Sequence, residues 1–518
     1  MYAVTSAEMQ TMDRLTIAEF GLPGRLLMEN AGREAARVFL AQFADAARQG
    51  VGVIAGRGNN GGDGYVIARC LAHRGYPVRV YLLSAADRIQ GDAAANLKLL
   101  PAAGVPVIEV PDEAAFSRCR PEMRAPAVWV DAVFGTGLHS EVRGLFRTAI
   151  EFINQLNRPV LALDIPSGLD ADTGQPCGAC IRATVTATFA YPKIGLLVFP
   201  GAEATGRLEV VDIGIPPAVA DRVRPRQRLL SADIVRGYIE PRPADAHKGR
   251  TGHLLVVAGS PGKTGAAAMT AGSALRIGAG LVTLGTAASL NAVMETLTLE
   301  AMTAPLPETT PGVLGPEAKN AILALTQGKS CLALGPGLGP APETGALVRE
   351  LVRACRIPMV IDADGLNHFA GATEALRNLP AATVLTPHPG EMARLLGSTP
   401  AAVQRDRLAC ARDLATALNL HVVLKGARTL IAHPDGTVCI NPTGNSGMAS
   451  GGMGDVLTGA IAGLIAQGLR PEMAARAAVY LHGAAADHLA CSVGPWGYLA
   501  GEVMNALPGQ IAALFAGD

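Results

Sequence analysis

Long hydrophobic runs are missing from this 518-residue sequence: no uncharged apolar stretch approaches the ~20 residues that a membrane-spanning helix needs. The first residues, MYAVTSAEMQTMDRL, place acidic and basic side chains where a signal peptide needs an apolar core. We therefore predict a cytoplasmic protein that has no membrane partner.

Net charge and a cysteine framework are missing as well. Lysine plus arginine and aspartate plus glutamate number 44 each, and no long basic run occurs, so nucleic acid is not expected as a partner. The nine cysteines lack the spacing of a disulfide framework, and the single Cys-x-x-Cys pair, Cys177 and Cys180, has no second pair to complete a zinc site. We expect reduced thiols.

Aromatic residues are scarce, at 4%, whereas 60 glycines are present and 49% of the residues are hydrophobic. This composition favours α/β layers with many tight strand-to-helix turns over a β-sandwich or a disordered chain. The length indicates more than one domain, and two is the first expectation.

Short apolar runs alternate with helical patterns along most of the chain. A capping box, Thr5-x-x-Glu8, predicts the start of a first helix. The proline-rich and charged stretch from Ile215 to Leu230 predicts a linker, so we expect one domain over residues 1–225 and a second over 226–518. The predicted buried strands are 51–55, 78–83, 127–130, 160–163, 185–190 and 208–212 in the first domain, and 253–258, 281–284, 331–334, 359–362, 383–386 and 422–425 in the second.

The stretch Gly56-Arg57-Gly58-Asn59-Asn60-Gly61 has the spacing of a dinucleotide-binding loop. Such a loop also needs an acid about 20 residues further on, and the nearest one, Asp87, comes late. A site for hydride transfer is therefore not favoured. The amides and the carboxylate of residues 59–63 can instead bind a sugar, a polar head group or a hard cation. The alternative is a simple strand-to-helix turn in which asparagine tolerates left-handed backbone angles.

Polar side chains also follow two other strands of the first domain. Asp131 ends one predicted strand, and Asp164 ends another, three residues before Ser167. Ligands of an open parallel sheet bind outside the carboxyl ends of its strands, so these side chains and Asn60 could share one cleft. Oxygen ligands of this kind suit a hard cation. The alternative for each carboxylate alone is a helix N-cap.

Five motifs of the first domain together resemble the NAD(P)H-hydrate epimerase family: LMENAG (27–32), NNGGDG (59–64), VDAVFGTGL (130–138), LDIPSGLDADTG (163–174) and KIGLLVFPG (193–201). The resemblance implies a Rossmann-like three-layer α/β/α domain in which Asp164 is the catalytic or substrate-contacting acid, and in which Asn60, Asp131 and Ser167 bind a potassium ion. It further implies a substrate pocket lined by Asn59, Asn60, Gly61, Gly62, Asp63, Gly135, Thr136, Gly137, Leu138, His139, Ser140 and Glu141.

In the second domain, GSPGKTG (259–265) fails as a P-loop, because the required first glycine is Val257. The stretch Gly451-Gly452-Met453-Gly454 precedes a predicted helix and would present backbone N–H groups to a transferred phosphoryl group. Asp455 follows directly and is placed to take a proton from an attacking hydroxyl. The alternative is an ordinary glycine-rich helix start that Asp455 caps.

Further motifs resemble the ADP-dependent NAD(P)H-hydrate dehydratase branch of the ribokinase-like superfamily: HKGRTGHLLVVAGS (247–260), LTPHPGEMARL (385–395), LKGARTLI (424–431) and NSGMASGGMGDVLTG (445–459). Met453 departs from the pattern, since a smaller residue is usual there. The resemblance implies a ribokinase-like α/β domain with Asp455 as the base. The residues implied for the hydrated substrate are Ala266, Gly337 and His388, and those for the adenine nucleotide are Lys425, Gly426, Ala427, Arg428, Thr429 and Gly454.

The two resemblances together predict an enzyme that repairs hydrated NADH and NADPH. The first domain would interconvert the R and S hydrates, and the second would dehydrate the S hydrate with ADP as co-substrate and Mg²⁺ as cofactor. The second domain would phosphorylate the ring hydroxyl, which is otherwise a poor leaving group, and then eliminate phosphate. One alternative is a small-alcohol kinase fused to a nucleotide-binding sensor, and another is a first domain that binds without catalysis. We also expect a homo-oligomer.

Overall fold

A computed structural model describes residues 1–516 of the chain. The chain divides into two compact units, Met1–Gln227 and Arg228–Asp518. The predicted domain boundary, between residues 225 and 226, lies two residues before this division.

The first unit contains one parallel sheet with helices on both faces. The strands of this sheet are β2 (Val51–Ala55), β3 (Val78–Leu82), β4 (Val107–Glu109), β5 (Val128–Ala132), β6 (Val160–Leu163), β7 (Val185–Phe189) and β8 (Arg207–Val211). The short strand β1 (Tyr2–Ala3) precedes them in the chain and is not part of this sheet. The helices of the unit are α1 (Ser6–Ala18), α2 (Gly24–Ala47), α3 (Asn59–Ala72), α4 (Gly91–Leu97), α5 (Glu113–Cys119), α6 (Gly144–Gln155), α7 (Ile194–Leu197), α8 (Gly201–Thr205) and α9 (Pro217–Val223).

The sheet of the first unit runs in the order β4-β3-β2-β5-β6-β7-β8, and all neighbours are parallel. Successive side chains of β2 enter different cores: Val53 packs on one face of the sheet and Ile54 on the other. Both faces are therefore covered, as predicted for a three-layer domain. The strand order reverses between β2 and β5, and a ligand crevice is expected at the carboxyl ends of these two strands.

Strand β9 (Gln227–Leu229) crosses the division between the units. The other strands of the second unit are β10 (His253–Val257), β11 (Leu281–Ala287), β12 (Met302–Leu306), β13 (Cys331–Leu334), β14 (Met359–Ile361), β15 (Thr383–Leu385), β16 (His421–Leu424), β17 (Leu430–Ala432) and β18 (Val438–Ile440). The helices are α10 (Ala232–Arg236), α11 (Thr264–Arg276), α12 (Asn291–Leu297), α13 (Lys319–Leu325), α14 (Pro342–Ala354), α15 (Asp364–Asn367), α16 (Pro389–Leu396), α17 (Pro400–Arg405), α18 (Arg407–Leu418), α19 (Met453–Ala466), α20 (Pro471–Ser492) and α21 (Ala500–Phe515).

The sheet of the second unit includes the run β18-β17-β16-β15-β14-β13-β10-β11-β12. Neighbours are parallel from β16 to β12, whereas β16, β17 and β18 pair antiparallel. The apolar helix α19 packs closely on α11. A Cβ added at Gly459 of α19 would lie only 2.1 Å from the carbonyl oxygen of Thr270 of α11. The order reverses between β10 and β13, which predicts a second crevice there.

Several predictions from the sequence needed correction. Residues 59–63 do not form a loop, because α3 already begins at Asn59. Neither Asn59 nor Asn60 has a positive φ, so the left-handed turn offered as an alternative is wrong. Strands β1, β4, β9, β12, β17 and β18 were not predicted; all of them except β12 span only two or three residues, too few for a periodic pattern. Within residues 1–516, no helix is both long enough and apolar enough to cross a membrane.

Candidate active sites

A cavity of about 650 Å³ opens at the carboxyl ends of β2, β5 and β6. Its wall is formed by helices α1 and α2, by the first turn of α3, by the segment after β5, and by Asp164 after β6. The segments after β2 and β5 approach closely, since a Cβ added at Gly56 would lie 2.1 Å from the carbonyl oxygen of Val133. The cavity has the size of a small-molecule site and lies at the predicted crevice.

The first turn of α3 contributes polar groups from only some of its predicted residues. Asn59, Asn60 and Asp63 line the cavity, and the last two are 7% and 8% exposed. Gly61 and Gly62 lie outside the lining. A Cβ at Gly61 would meet the carbonyl oxygen of Gly56 at 2.2 Å, and one at Gly62 would meet Met28 Sδ at 2.6 Å. These two glycines therefore allow α3 to pack against its neighbours.

The segment after β5 enters the cavity over only part of its predicted range. Gly135, Thr136, Gly137 and Leu138 line the cavity, but the next three residues do not. His139 is exposed and lies 3.8 Å from Asp170, measured from Nδ1 to the carboxylate oxygen. Ser140 is exposed, and Glu141 forms a salt bridge with Arg143 on the surface.

Asp164 lines the cavity and is held by a lysine. Its φ of 64° lies in the left-handed region, a strain of about 1–3 kcal/mol that a non-glycine residue keeps only where the surroundings enforce it. Lys193 Nζ, from a side chain with no exposed surface, donates to the carboxylate Oδ1 of Asp164. The same ammonium donates to Thr188 Oγ1 at 3.2 Å and to the carbonyl oxygen of Phe189 at 2.9 Å. The carboxylate of Asp164 is thus fixed in place by its pairing with Lys193.

The three residues implied for potassium lie in one hydrogen-bonded network. Ser167 Oγ donates to Asp131 Oδ1 at 2.6 Å, and Asp131 Oδ2 accepts from the Ser167 N–H at 2.7 Å. The N–H of Phe134 donates to Ser167 Oγ at 2.8 Å, while Asn60 Nδ2 donates to the Phe134 carbonyl oxygen at 2.9 Å.

This network retains unused oxygen ligands. Asn60 Oδ1 is buried without a hydrogen-bond partner. Burial raises the pKa of the Asp131 carboxyl to about 6, although hydrogen bonds from Ser167 oppose the shift. A buried orphan oxygen and a desolvated carboxylate are suited to a hard cation. Among the described residues, no cluster of three His, Cys, Asp or Glu side chains could hold a metal ion, so a cation here would depend on amide, hydroxyl and carbonyl oxygens as well.

In the second unit, the glycine stretch leads directly into α19. Gly452 caps the helix with a φ of 91°, and the N–H groups of the first helical turn have no partners within the helix. Asp455 lies in this first turn, where burial raises the pKa of its carboxyl to about 6 and nearby Asp362 adds to the shift. Met453, the departure noted in the sequence, is 6% exposed and belongs to the hydrophobic core, which leaves the stretch open.

The loop that leads to these glycines is braced by α20. Asp487 accepts hydrogen bonds from the Gly444 N–H and from Asn445 Nδ2, both at 2.9 Å. Asn445 Oδ1 in turn accepts from the Gly447 N–H at 3.0 Å and from Tyr498 Oη at 2.5 Å. These hydrogen bonds fix the backbone of residues 444–447, directly before the glycine stretch.

A buried ion pair adjoins Gly454. Lys425 Nζ donates to Asp362 Oδ1 at 2.6 Å, and Thr458 Oγ1 donates to Asp362 Oδ2 at 2.7 Å. Glu391 Oε2 lies 3.7 Å from the same ammonium, and burial raises the pKa of the Glu391 carboxyl. A Cβ added at Gly454 would lie 3.3 Å from Lys425 Nζ, so the glycine cradle and the lysine are neighbours.

The residues implied for the hydrated substrate fall into two places. Gly337 has a φ of 65°, and a Cβ there would lie 3.3 Å from the Ala266 Cβ and 2.8 Å from the carbonyl oxygen of Lys263. Gly337 and Ala266 thus meet at the β10–β13 crevice. His388 caps α16, where its Nδ1 accepts from the Gly390 N–H at 2.9 Å. Burial and the charge of Lys425 lower the pKa of His388. His388 therefore lies near the ion pair of Lys425 and Asp362.

The segment implied for the adenine nucleotide is shaped by a buried arginine. Arg407 donates to the carbonyl oxygens of Lys425 and Ala427, and a Cβ at Gly426 would lie 3.0 Å from Arg407 Nη2. Thr429 Oγ1 donates to the Gly426 carbonyl oxygen at 2.9 Å. Arg428 has a φ of 55° and donates to the carbonyl oxygen of Pro442 at 2.6 Å.

Two protein-family descriptions match the chain, one in each half. A family described as YjeF-related protein N-terminus matches residues 24–195, and one described as NAD(P)H-hydrate dehydratase matches residues 254–509. A bifunctional NAD(P)H-hydrate repair enzyme of Moorella thermoacetica is 46% identical over 98% of this chain and 96% of its own. The chain belongs to the family of bifunctional NAD(P)H-hydrate repair enzymes.

A second bifunctional repair enzyme and a solved dehydratase structure are also similar to this chain. The bifunctional repair enzyme of Escherichia coli is 38% identical over 93% of this chain and 88% of its own. The crystal structure of the ADP/ATP-dependent NAD(P)H-hydrate dehydratase of Bacillus subtilis, co-crystallised with ATP and Mg²⁺, is 31% identical over 55% of this chain and 98% of its own, with a TM-score of 0.49. The predicted family, the predicted α/β fold and the predicted enzyme class are confirmed.

Sequence reasoning gave no role to several residues that build the sites. Lys193 opens the motif KIGLLVFPG, and a lysine at the start of an apolar run is a signal that a buried carboxylate pairs with it. Asp362 is the last residue of the predicted strand 359–362, but its pairing with Lys425 was not predicted. Asp13, Arg407 and Asp487 lie in helices whose local sequence gives no sign of their contacts.

Proposed function

We propose that this chain repairs hydrated NADH and NADPH at two separate sites, one that interconverts the hydrate epimers and one that restores the reduced ring with ADP. The observation that carries the proposal is the arrangement at the start of α19, where Asp455 and the glycine cradle adjoin the Lys425–Asp362 pair. This arrangement suits transfer of a phosphoryl group to a hydroxyl. Family membership supports a repair role over a vitamin-type kinase.

In the second unit, the Asp455 carboxylate would accept the proton of the ring hydroxyl as its oxygen attacks the terminal phosphorus of ADP. The N–H groups of Gly451 to Gly454 and the ammonium of Lys425 would stabilise the negative charge that develops on the phosphoryl oxygens. The carbon–oxygen bond of the phosphate ester would then break, with phosphate leaving with the bond electrons, and loss of a proton from the adjacent carbon would restore the ring double bond.

Magnesium would be held mainly by the nucleotide phosphates. Within residues 1–516, no cluster of three His, Cys, Asp or Glu side chains could bind a metal ion. Both carboxylate oxygens of Asp362 are already bonded, whereas Glu391 Oε1 has only a 3.3 Å contact with His388. This donor set fits Mg²⁺, which commonly binds phosphates, waters and one or two carboxylates. The bound ion would neutralise phosphate charge during transfer.

In the first unit, we propose that the hydrated nicotinamide nucleotide binds in the cavity beside Asp164. Asn59 and Asp63 would contact it together with the Gly135–Leu138 segment. A potassium ion would be bound by Asn60 Oδ1, the Asp131 carboxylate and Ser167 Oγ, which fits the orphan oxygen and the desolvated carboxylate found there. The ion would add positive potential near the bound anionic nucleotide.

The test is to supply the purified chain with both hydrate epimers and either ADP or ATP. Regeneration of the reduced nicotinamide is followed by absorbance, and phosphate release is measured in the same sample. We expect both epimers to be consumed, with one phosphate released for each reduced ring. A stable phosphorylated product without regeneration of the reduced ring would instead identify a small-alcohol kinase. Consumption of only one epimer would identify the first unit as a binding domain without catalysis.

A further inference from the structure

Four carboxyl groups line the cavity of the first unit. Three of them, Asp13 on α1, Asp63 on α3 and Asp164 after β6, act on one another electrostatically, and we call them the carboxyl cluster; the fourth is Asp92 on α4. Asp164 is paired with Lys193. The side chains of Asp13 and Asp63, by contrast, make no hydrogen bond or ion pair with any other described residue. Asp63 is only 8% exposed, so an unpartnered carboxyl group is buried against the cavity. Such a group points to a ligand.

The three members differ in how easily they exchange a proton. Burial is the main cause that raises the pKa of Asp13 to about 6, with Lys193 opposing the shift and Asp164 adding to it. Burial raises the pKa of Asp63 well above its usual range, and the nearby charges of Asp164 and Asp13 add to the shift. Asp164 is already engaged in its ion pair with Lys193. Asp13 lines the cavity without such a partner and has a pKa of about 6, so it is placed to give and to take a proton near neutral pH.

Other charges on the cavity wall are few. Arg57 and Asp92 are the remaining charged side chains that line it. Helix α9, which packs on α1, carries Asp221 and Arg222, and Arg222 forms a salt bridge with Glu19 at the end of α1. The charges that act on Asp13 are therefore those of Lys193 and Asp164, as the causes of its shift also indicate.

We propose that Asp13 is the proton-transfer residue of epimerisation in the first unit, an inference that rests on the epimerase function proposed above. Addition of water to the ring's enamine double bond places the hydroxyl on the carbon next to the ring nitrogen. The Asp13 carboxylic acid protonates this hydroxyl, the carbon–oxygen bond breaks, and the nitrogen lone pair forms a carbon–nitrogen double bond. Water is released, and the cationic ring lies beside the Asp164 carboxylate.

The reverse steps complete the inversion. The planar ring turns about its bond to the ribose and presents its other face. Water then adds to the same carbon, the electrons of the carbon–nitrogen double bond return to nitrogen, and the Asp13 carboxylate takes the proton that the water loses. The enzyme and the atom count are unchanged, and only the configuration of the carbon has been inverted.

The principal test compares Asp13→Asn, Asp13→Glu and the control Asp45→Asn, which removes an exposed carboxylate from α2 outside the cavity wall. In the full chain, kcat of epimerisation should fall by about 100-fold or more in Asp13→Asn with KM nearly unchanged. Asp13→Glu should retain part of the activity, and the control should match the wild type. In a Trp496→Phe background, fluorescence of the buried Trp129 verifies that the first unit of each variant is folded.

Two readouts separate proton transfer from a structural role. Wild-type kcat/KM, corrected for the uncatalysed reaction, should fall about tenfold for each pH unit above the Asp13 pKa of about 6, because the acid form starts the reaction. In isotopically labelled water, inversion should incorporate solvent oxygen, since exposed Asn59 on the wall shows that the cavity opens to solvent.

The outcomes are distinct. A wild-type chain that does not interconvert the epimers contradicts the proposed function. A wild-type chain that does so, while folded Asp13→Asn keeps full activity, overturns the role of Asp13. Epimerisation without incorporation of solvent oxygen overturns the proposed bond cleavage, and equal losses in Asp13→Asn and Asp13→Glu assign Asp13 a structural role only.

Discussion

The ion pair between Lys193 and Asp164 gives a sharp prediction about the first unit. Replacing Lys193 by methionine keeps the length of the buried side chain but removes the ammonium. Asp164, with a side chain only 14% exposed, would retain just the 3.2 Å bond from the Phe189 N–H and the 3.4 Å contact with Thr188 Oγ1. An uncompensated buried charge of this kind costs about 3–5 kcal/mol of unfolding free energy.

The double variant Lys193→Met/Asp164→Asn provides the matched comparison. It removes the uncompensated charge, so its unfolding free energy should exceed that of the single variant by about 2 kcal/mol. Both variants should lose epimerisation. The single variant no longer holds Asp164 in position, and the double variant lacks the Asp164 carboxylate altogether.

The assay uses the distribution of the two tryptophans. Trp129 is buried in the first unit, whereas Trp496 lies in the second and is 76% exposed. In a Trp496→Phe background, urea unfolding followed by fluorescence therefore reports on the first unit alone. A single variant within about 0.5 kcal/mol of the background, or a double variant no more stable than the single, would refute this account of the pair.

Four further predictions concern the two sites. Asp455→Asn should abolish dehydration but leave epimerisation intact, as measured on each epimer separately, and the surface control Asp413→Asn should retain both activities. Because the base must be ionised, wild-type dehydration should fall about tenfold per pH unit below the Asp455 pKa of about 6, and a rate that rises on acidification would contradict this role. Gly454→Ala should slow dehydration at least tenfold in steady-state assays, since the added Cβ crowds the Lys425 ammonium at 3.3 Å. Epimerisation should be faster in K⁺ than in a bulky organic cation, and Ser167→Ala should remove this difference; a rate indifferent to the cation in the wild type would exclude the proposed ion.

Local patterns predicted much of the fold. Runs of four or more apolar residues gave strands such as Val51–Ala55, Val160–Leu163 and Cys331–Leu334 with the bounds that the structure has. The capping box at Thr5 is also present, with Thr5 Oγ1 accepting from the Glu8 N–H at 3.1 Å. Such features depend on neighbours in sequence, and the sequence therefore contains the information needed to predict them.

The parts that the sequence did not predict are those formed by distant contacts. Lys193 meets Asp164 across 29 positions, and Lys425 meets Asp362 across 63. Asp13 reaches the cavity only because α1 packs beside it. Contacts between residues so far apart in sequence leave no repeating pattern in either segment. The candidate residues at strand ends could therefore be predicted, but the residues that pair with them could not. The roles of the site residues, the self-association of the chain and its cytoplasmic location stay predictions.

The most direct test of two independent sites is complementation between Asp164→Asn and Asp455→Asn chains, each supplied with both hydrate epimers and ADP. Alone, the first should regenerate the reduced nicotinamide from only one epimer at an enzymatic rate, and the second should regenerate none. An equimolar mixture should consume both epimers, because each chain contributes the activity that the other lacks. A mixture that performs no better than Asp164→Asn alone, although both chains are folded, would contradict the account.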